Sequence, residues 1–163
     1  MKPSSTPEKP AHVLEVPPWA GLAARVILGL VMAASGTLKA SSPVEEFAVV
    51  IESYGILPDS MIITTASFLP WLELVLGVAL AAGYLTRQAA IGASAMLLAF
   101  IFALFSTQLR GIHLPNCGCF GHGIHLSTAQ ALLFDACLTG LAFLSYKKGS
   151  AKLSLDNWIN SGL

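Results

Sequence analysis

Four stretches of this chain are apolar for about as long as a bilayer is thick: Ala20 to Ala40, Met61 to Leu85, Gln88 to Leu109 and Leu126 to Tyr146. A helix needs about 20 mainly apolar residues to cross a hydrocarbon core of about 30 Å. The stretches are rich in Ala, Leu, Ile, Gly and Phe, and none alternates like a barrel strand. In lipid, backbone N–H and C=O groups must be satisfied within the segment, so each stretch reads as a helix. Charge content agrees. Of 163 residues, 11% are charged and 55% hydrophobic, against about 25% charged in an ordinary soluble domain. Such a chain cannot cover its own surface in water. The formal net charge is zero, and no basic block exists to neutralise phosphates, which argues against nucleic acid as a partner. The expected fold class is an all-α membrane protein, a four-transmembrane-helix bundle whose main partner is the lipid bilayer.

Lys2 and Lys9, followed by the small residues Ala33-Ala34-Ser35-Gly36, resemble a cleavable leader. Arg25 interrupts that apolar run early and the run is long, so it reads as a retained span. Residues 1–18 are polar and proline-rich and read as a flexible tail. Residues 19–146 form the membrane domain, and 147–163 a second tail. Between spans one and two, Pro43 fits a helix start. Val44, Phe47, Ala48, Val50 and Ile51 then oppose Glu45, Glu46 and Glu52, and Tyr54-Gly55 closes the segment. This pattern predicts a short amphipathic interfacial helix.

Lys and Arg near span ends set orientation. Lys2, Lys9, Arg25, Arg87, Lys147, Lys148 and Lys152 fall on one side, Lys39 and Arg110 on the other. The expected topology has both termini cytoplasmic in a cell (inner) membrane. The loop between spans three and four is then extracytoplasmic, where disulfides persist.

That loop carries Cys117 and Cys119 with Gly118 between them. A bridge across one residue needs a bent backbone, which glycine eases. It would be strained, hence of labile or catalytic character. It would also restrict little chain entropy, so a purely structural staple is a poor use for it. His113, His122 and His125 are candidates to lower a thiol pKa or move protons. Pro115 and Phe120 are candidates to shape and shield the turn. Two rival readings stay open. The Cys/His set of His113, Cys117, Cys119, His122 and His125 suits Zn or Cu(I) by ligand type, although paired zinc cysteines usually have two or more residues between them and this pair has one. Alternatively, the loop belongs to a non-catalytic accessory or scaffold for a maturation factor. Cys137 lies about 16 Å into span four, too deep to reach the loop cysteines, and reads as a small buried apolar residue.

Arg25, Glu73 and Asp135 sit inside spans, where ionisable groups are costly and usually face the bundle interior. They read either as a proton or polar network, or as an Arg25–Glu73 or Arg25–Asp135 pair that fixes register. Lys39, near a span end, is expected to snorkel to the interface. Pro70 interrupts the hydrogen bonding of span two, with Phe68 and Trp71 beside it. These aromatics read as packing or as the wall of a quinone pocket. Gly29, Ala33 and Gly36 form a small-residue stripe for close helix packing.

Taken in order, several of these residues resemble a known family. Arg25, Gly29, Ser35-Gly36 and Lys39 look like the first-helix signature of DoxX-like membrane proteins. Ser53-Tyr54-Gly55-Ile56-Leu57-Pro58, Leu69-Pro70-Trp71-Leu72-Glu73-Leu74, Gly77 and Gly83 are similar to the methylamine-utilisation MauE branch. So are Arg110-Gly111, Cys117-Gly118-Cys119-Phe120-Gly121 and Asp135. The resemblance covers Ala20 to Tyr146. It implies a redox-associated four-helix inner-membrane protein with a role in the processing, maturation or disulfide formation of an extracytoplasmic thiol protein, in that family the small subunit of methylamine dehydrogenase. The expected activity is that of a thiol–disulfide oxidoreductase with Cys117 and Cys119 as its catalytic pair. Quinone is the expected electron acceptor if there is one.

Overall fold

The computed structural model describes residues 18–112 and 127–148. Five helices follow in order: α1 (Pro18–Ser41), α2 (Val44–Tyr54), α3 (Asp59–Ala82), α4 (Thr86–Leu109) and α5 (Thr128–Lys148). All except α2 are long and apolar enough to cross a membrane. The described residues are therefore all-helical, as the sequence predicts. The exterior has the character that lipid demands. Leu30, Phe68, Trp71, Phe102 and Leu133 point outward, whereas Arg25, Lys39, Glu73 and Asp135 are buried. In water this arrangement would be inside-out.

Local sequence sets the helix ends. Pro18 opens α1, where its missing N–H costs nothing. Span two stops at Ala82 rather than Leu85, because Gly83 takes a left-handed conformation (φ 74°) and Tyr84 N–H returns to Ala79 O at 2.9 Å. Leu85 is itself left-handed (φ 46°), which lets α4 start at Thr86, two residues before the expected Gln88. Ser127 and Gln130 cap α5 reciprocally. Ser127 N–H donates to Gln130 Oε1 at 3.0 Å and Gln130 N–H to Ser127 Oγ at 3.4 Å. Span four thus starts at Thr128, not Leu126.

The backbones of α1 and α3 approach most closely. A Cβ on Gly29 would lie 2.5 Å from Ala81 N, and one on Gly36 would lie 2.7 Å from Leu74 N. The stripe of Gly29, Ala33 and Gly36 does what small residues do in membranes, bringing two helices into backbone contact. These pairs fix the antiparallel register, with Ser35 level with Glu73 and Arg25 level with Gly83. On this register α3 runs beyond the end of α1. Helix α2 covers that overhang, burying Phe47, Ala48 and Ile51 against Ile62 and Ala66. The amphipathic segment is therefore packed onto the bundle through its apolar face. Helix α5 closes the bundle against α4 and α1, and Arg87 in the first turn of α4 donates to the Tyr146 hydroxyl at 2.8 Å.

Candidate functional site

Polar side chains from three helices meet in the half of the bundle that α2 covers. Lys39 and Ser35 come from α1, Glu73 from α3 and Asp135 from α5, around a cavity of about 20 Å³. That is room for about one water. Helices α2 and α4 contribute aromatic cover: the Lys39 ammonium lies 5.3 Å from the ring centroids of both Phe47 and Phe100. Lys39 Nζ donates to Glu73 Oε2 at 2.7 Å. Lys39 is only 4% exposed and Glu73 7%.

Lys39 therefore does not snorkel. Its route to the interface is closed by Phe47, and a carboxylate one turn inward offers a better partner in a low-dielectric core. Two aromatic faces add cation–π attraction. Of the two expected pairs, Arg25–Glu73 or Arg25–Asp135, this contact replaces the first. Arg25 stands about 15 Å along α1 from Ser35, with its guanidinium filling the space beside Gly83 that any Cβ there would need. Glu73 and Asp135 do share one chamber, as their expected depths suggest. Lys39, not Arg25, is the cation that lines it with them.

Other expectations shift as well. Phe68 and Trp71 face outward and do not line this chamber. Cys137 is a free thiol on the exposed face of α5, not a buried packing residue. It points into the lipid region. His113, Cys117, Cys119, His122 and His125 lie outside the described residues.

The base of the cysteine-bearing connection is described. Arg110, the first residue after α4, bridges to the end of α2. Its Nη1 donates to Gly55 O at 3.2 Å and its Nη2 to Tyr54 O, while Nε donates to Ser106 O at 3.2 Å. A guanidinium here satisfies the terminal carbonyls of α2 and complements the negative end of the helix dipole. Tyr54 is buried against Leu104 and Ala131, so α2, α4 and α5 are tied together where the loop departs. In an Arg110→Ala variant, amides at the C-terminal turn of α2 should exchange hydrogen about tenfold faster, equivalent to about 1.4 kcal/mol. Hydrogen-exchange mass spectrometry would show it, and unchanged rates there would refute the clamp.

A small bundle with a buried ion pair at one end, and a clamped cysteine loop leaving that end, defines a class of compact multi-pass membrane protein. Residues 17–147 match the family described as Methylamine utilisation protein MauE, and the chain belongs to that family. It is 36% identical over 121 residues to Methylamine utilization protein MauE of Paracoccus denitrificans, covering 74% of this chain and 64% of that protein. To the Methylophilus methylotrophus protein of the same name it is 35% identical over 102 residues, covering 63% of this chain and 53% of the relative. The chain thus matches less than two thirds of either relative's length. No solved structure matches it.

Proposed function

We propose that this chain is a membrane thiol–disulfide redox protein that promotes disulfide formation in an extracytoplasmic protein. In a setting like that named for its relatives, the recipient would belong to methylamine utilisation. The observation that carries the reading is the pair Cys117 and Cys119, separated by Gly118 in the connection between α4 and α5. A pair this close is suited to exchange and poorly suited to stapling. In the forward direction a partner dithiol is oxidised as the Cys117–Cys119 disulfide is reduced to two thiols. Re-oxidation releases two electrons and two protons, which a membrane quinone accepts to become quinol. The excess of Lys and Arg at the other end of the bundle supports cytoplasmic termini and an outward-facing loop.

Thiol trapping in native membranes tests this reading. Cys117 and Cys119 should be protected from alkylation under oxidising conditions and become reactive together on reduction. A Cys117→Ser/Cys119→Ser variant should lose complementation almost completely. Two thiols that alkylate under every redox condition would overturn the proposal, and so would full complementation by the double variant. The latter result would favour a scaffolding role.

A further inference from the structure

Beneath α2, a second cavity opens between α3 and α4. It measures about 290 Å³, at the small end of the range for ligand pockets, about 300–1,000 Å³. Its walls are apolar and aromatic, with Phe100 and Phe102 from α4, Leu69 from α3, and Ile51 and Tyr54 from α2. Thr65 of α3 completes the wall.

Three features make this more than a lipid-facing crease. First, Phe100 is a wall shared with the Lys39–Glu73–Asp135 chamber. One aromatic ring therefore stands between an apolar slot and a cluster of proton-bearing side chains with room for a water. Second, the rim is Tyr54 to Leu57, the stretch whose Tyr54 and Gly55 carbonyls Arg110 holds. The slot thus opens under the anchor of the cysteine loop. Third, another cavity of this size, also about 290 Å³, is walled by Glu45, Glu52 and Asp59 and shares no ring with the Lys39–Glu73–Asp135 chamber. Phe68 and Trp71 are outward but line neither cavity. An acyl chain would gain nothing from adjacent carboxyl and ammonium groups. A molecule that takes up two protons when reduced would.

We propose that the α2–α3–α4 slot binds the head group of an isoprenoid quinone, with Phe100 and Phe102 against its ring and its tail in the bilayer. This rests on the redox reading above and gives its electron acceptor a binding site. Two thiols and one quinone give one disulfide and one quinol, so electrons and protons balance. The Lys39–Glu73–Asp135 chamber is placed to supply or relay protons to the reduced head group.

The test uses the full chain in nanodiscs, with a photoreactive azido derivative of a short-tailed ubiquinone as probe. Label should concentrate on the α4 peptide containing Met96 to Ala103 and on the α2–α3 connection. Unmodified decylubiquinone should compete, and an equal excess of diacyl phospholipid should not. Ala103→Trp should weaken labelling at least tenfold. Ala99→Phe, at a more exposed position of the same wall, is the second variant should the first not fold. Labelling spread over all outward faces would overturn the site, and so would equal competition by phospholipid, which would make it an acyl-chain groove. Labelling of the Cys117→Ser/Cys119→Ser variant separates the two proposals. If that variant still labels in the slot while wild-type thiols fail to oxidise with quinone, the site stands and the redox reading falls. If thiols oxidise with quinone but the slot is never labelled, the acceptor binds elsewhere and this inference falls alone.

Discussion

Replacing Lys39 with methionine should destabilise the folded protein by about 3–5 kcal/mol, the usual effect of removing one partner from a buried ion pair. The variant keeps the length of the side chain and its packing between Phe47 and Phe100, so the loss reports on charge. What remains is Glu73, 7% exposed, facing Asp135 across a cavity of about 20 Å³ with no ammonium between them. Glu73→Leu should cost a similar amount for the mirror-image reason, an ammonium stranded between two rings. The combined Lys39→Met/Glu73→Leu variant should recover most of the loss, because hydrophobic replacements of a buried pair are often neutral or better. Thermal unfolding in one detergent, followed by tryptophan fluorescence, gives the cycle. Coupling well above about 0.5 kcal/mol is expected. Additive losses would mean that the 2.7 Å contact carries no net energy. The double variant has a second use. If it folds well yet no longer supports activity, the pair serves proton handling and not only stability.

Why the sequence suggested the wrong partner for Glu73 is a question of register. The four spans, the amphipathic helix and its Gly55 stop follow from local patterns: apolar length, a 3.6-residue period and the left-handed tolerance of glycine. The Ser127–Gln130 cap was equally local and could have placed the start of α5 correctly. Lys39 is different. Counted from the end of α1 it lies near an interface, where snorkelling is the normal solution. Only the packing of Gly36 against Pro70 and Leu74 puts Glu73 one turn below it, and only α2 folding back closes its way out. Both are tertiary facts. The same holds for Cys137, Phe68 and Trp71. In an apolar helix every face is hydrophobic, so periodicity does not tell the lipid side from the core side.

The shared chamber also gives the helix order a chemical sense. Lys39 and Ser35 from α1, Glu73 from α3 and Asp135 from α5 converge only if α1 sits between α3 and α5, and these are its main neighbours. Helix α2 then plays two parts with one face. Phe47 covers the Lys39 ammonium, and one and two turns on, Ile51 and Tyr54 wall the slot beneath it. Arg110 fixes the far end of the same helix.

Gly36→Ala should invert a familiar rule. In a helix interior, Gly to Ala normally stabilises by about 1 kcal/mol. At Gly36 the new Cβ would stand 2.7 Å from Leu74 N and 2.8 Å from Pro70 O, both backbone atoms that no rotamer change can move aside. Helices α1 and α3 must separate or slide, and overpacking of this kind costs about 1–3 kcal/mol. Gly140 supplies the control, because nothing lies within 4 Å of a Cβ built there. Gly140→Ala should therefore stabilise while Gly36→Ala destabilises, although the two changes are chemically identical. The displacement should also spread. Gly36 lies between Ser35 and Lys39 on α1, so sliding α1 lengthens the Lys39–Glu73 contact. In the Lys39→Met/Glu73→Leu background, where no contact remains to be strained, Gly36→Ala should cost measurably less. Midpoints of thermal unfolding for these variants decide the matter. Equal responses at Gly36 and Gly140 would mean that α1 and α3 do not meet backbone to backbone, and the pairing of Lys39 with Glu73 would lose its geometric basis.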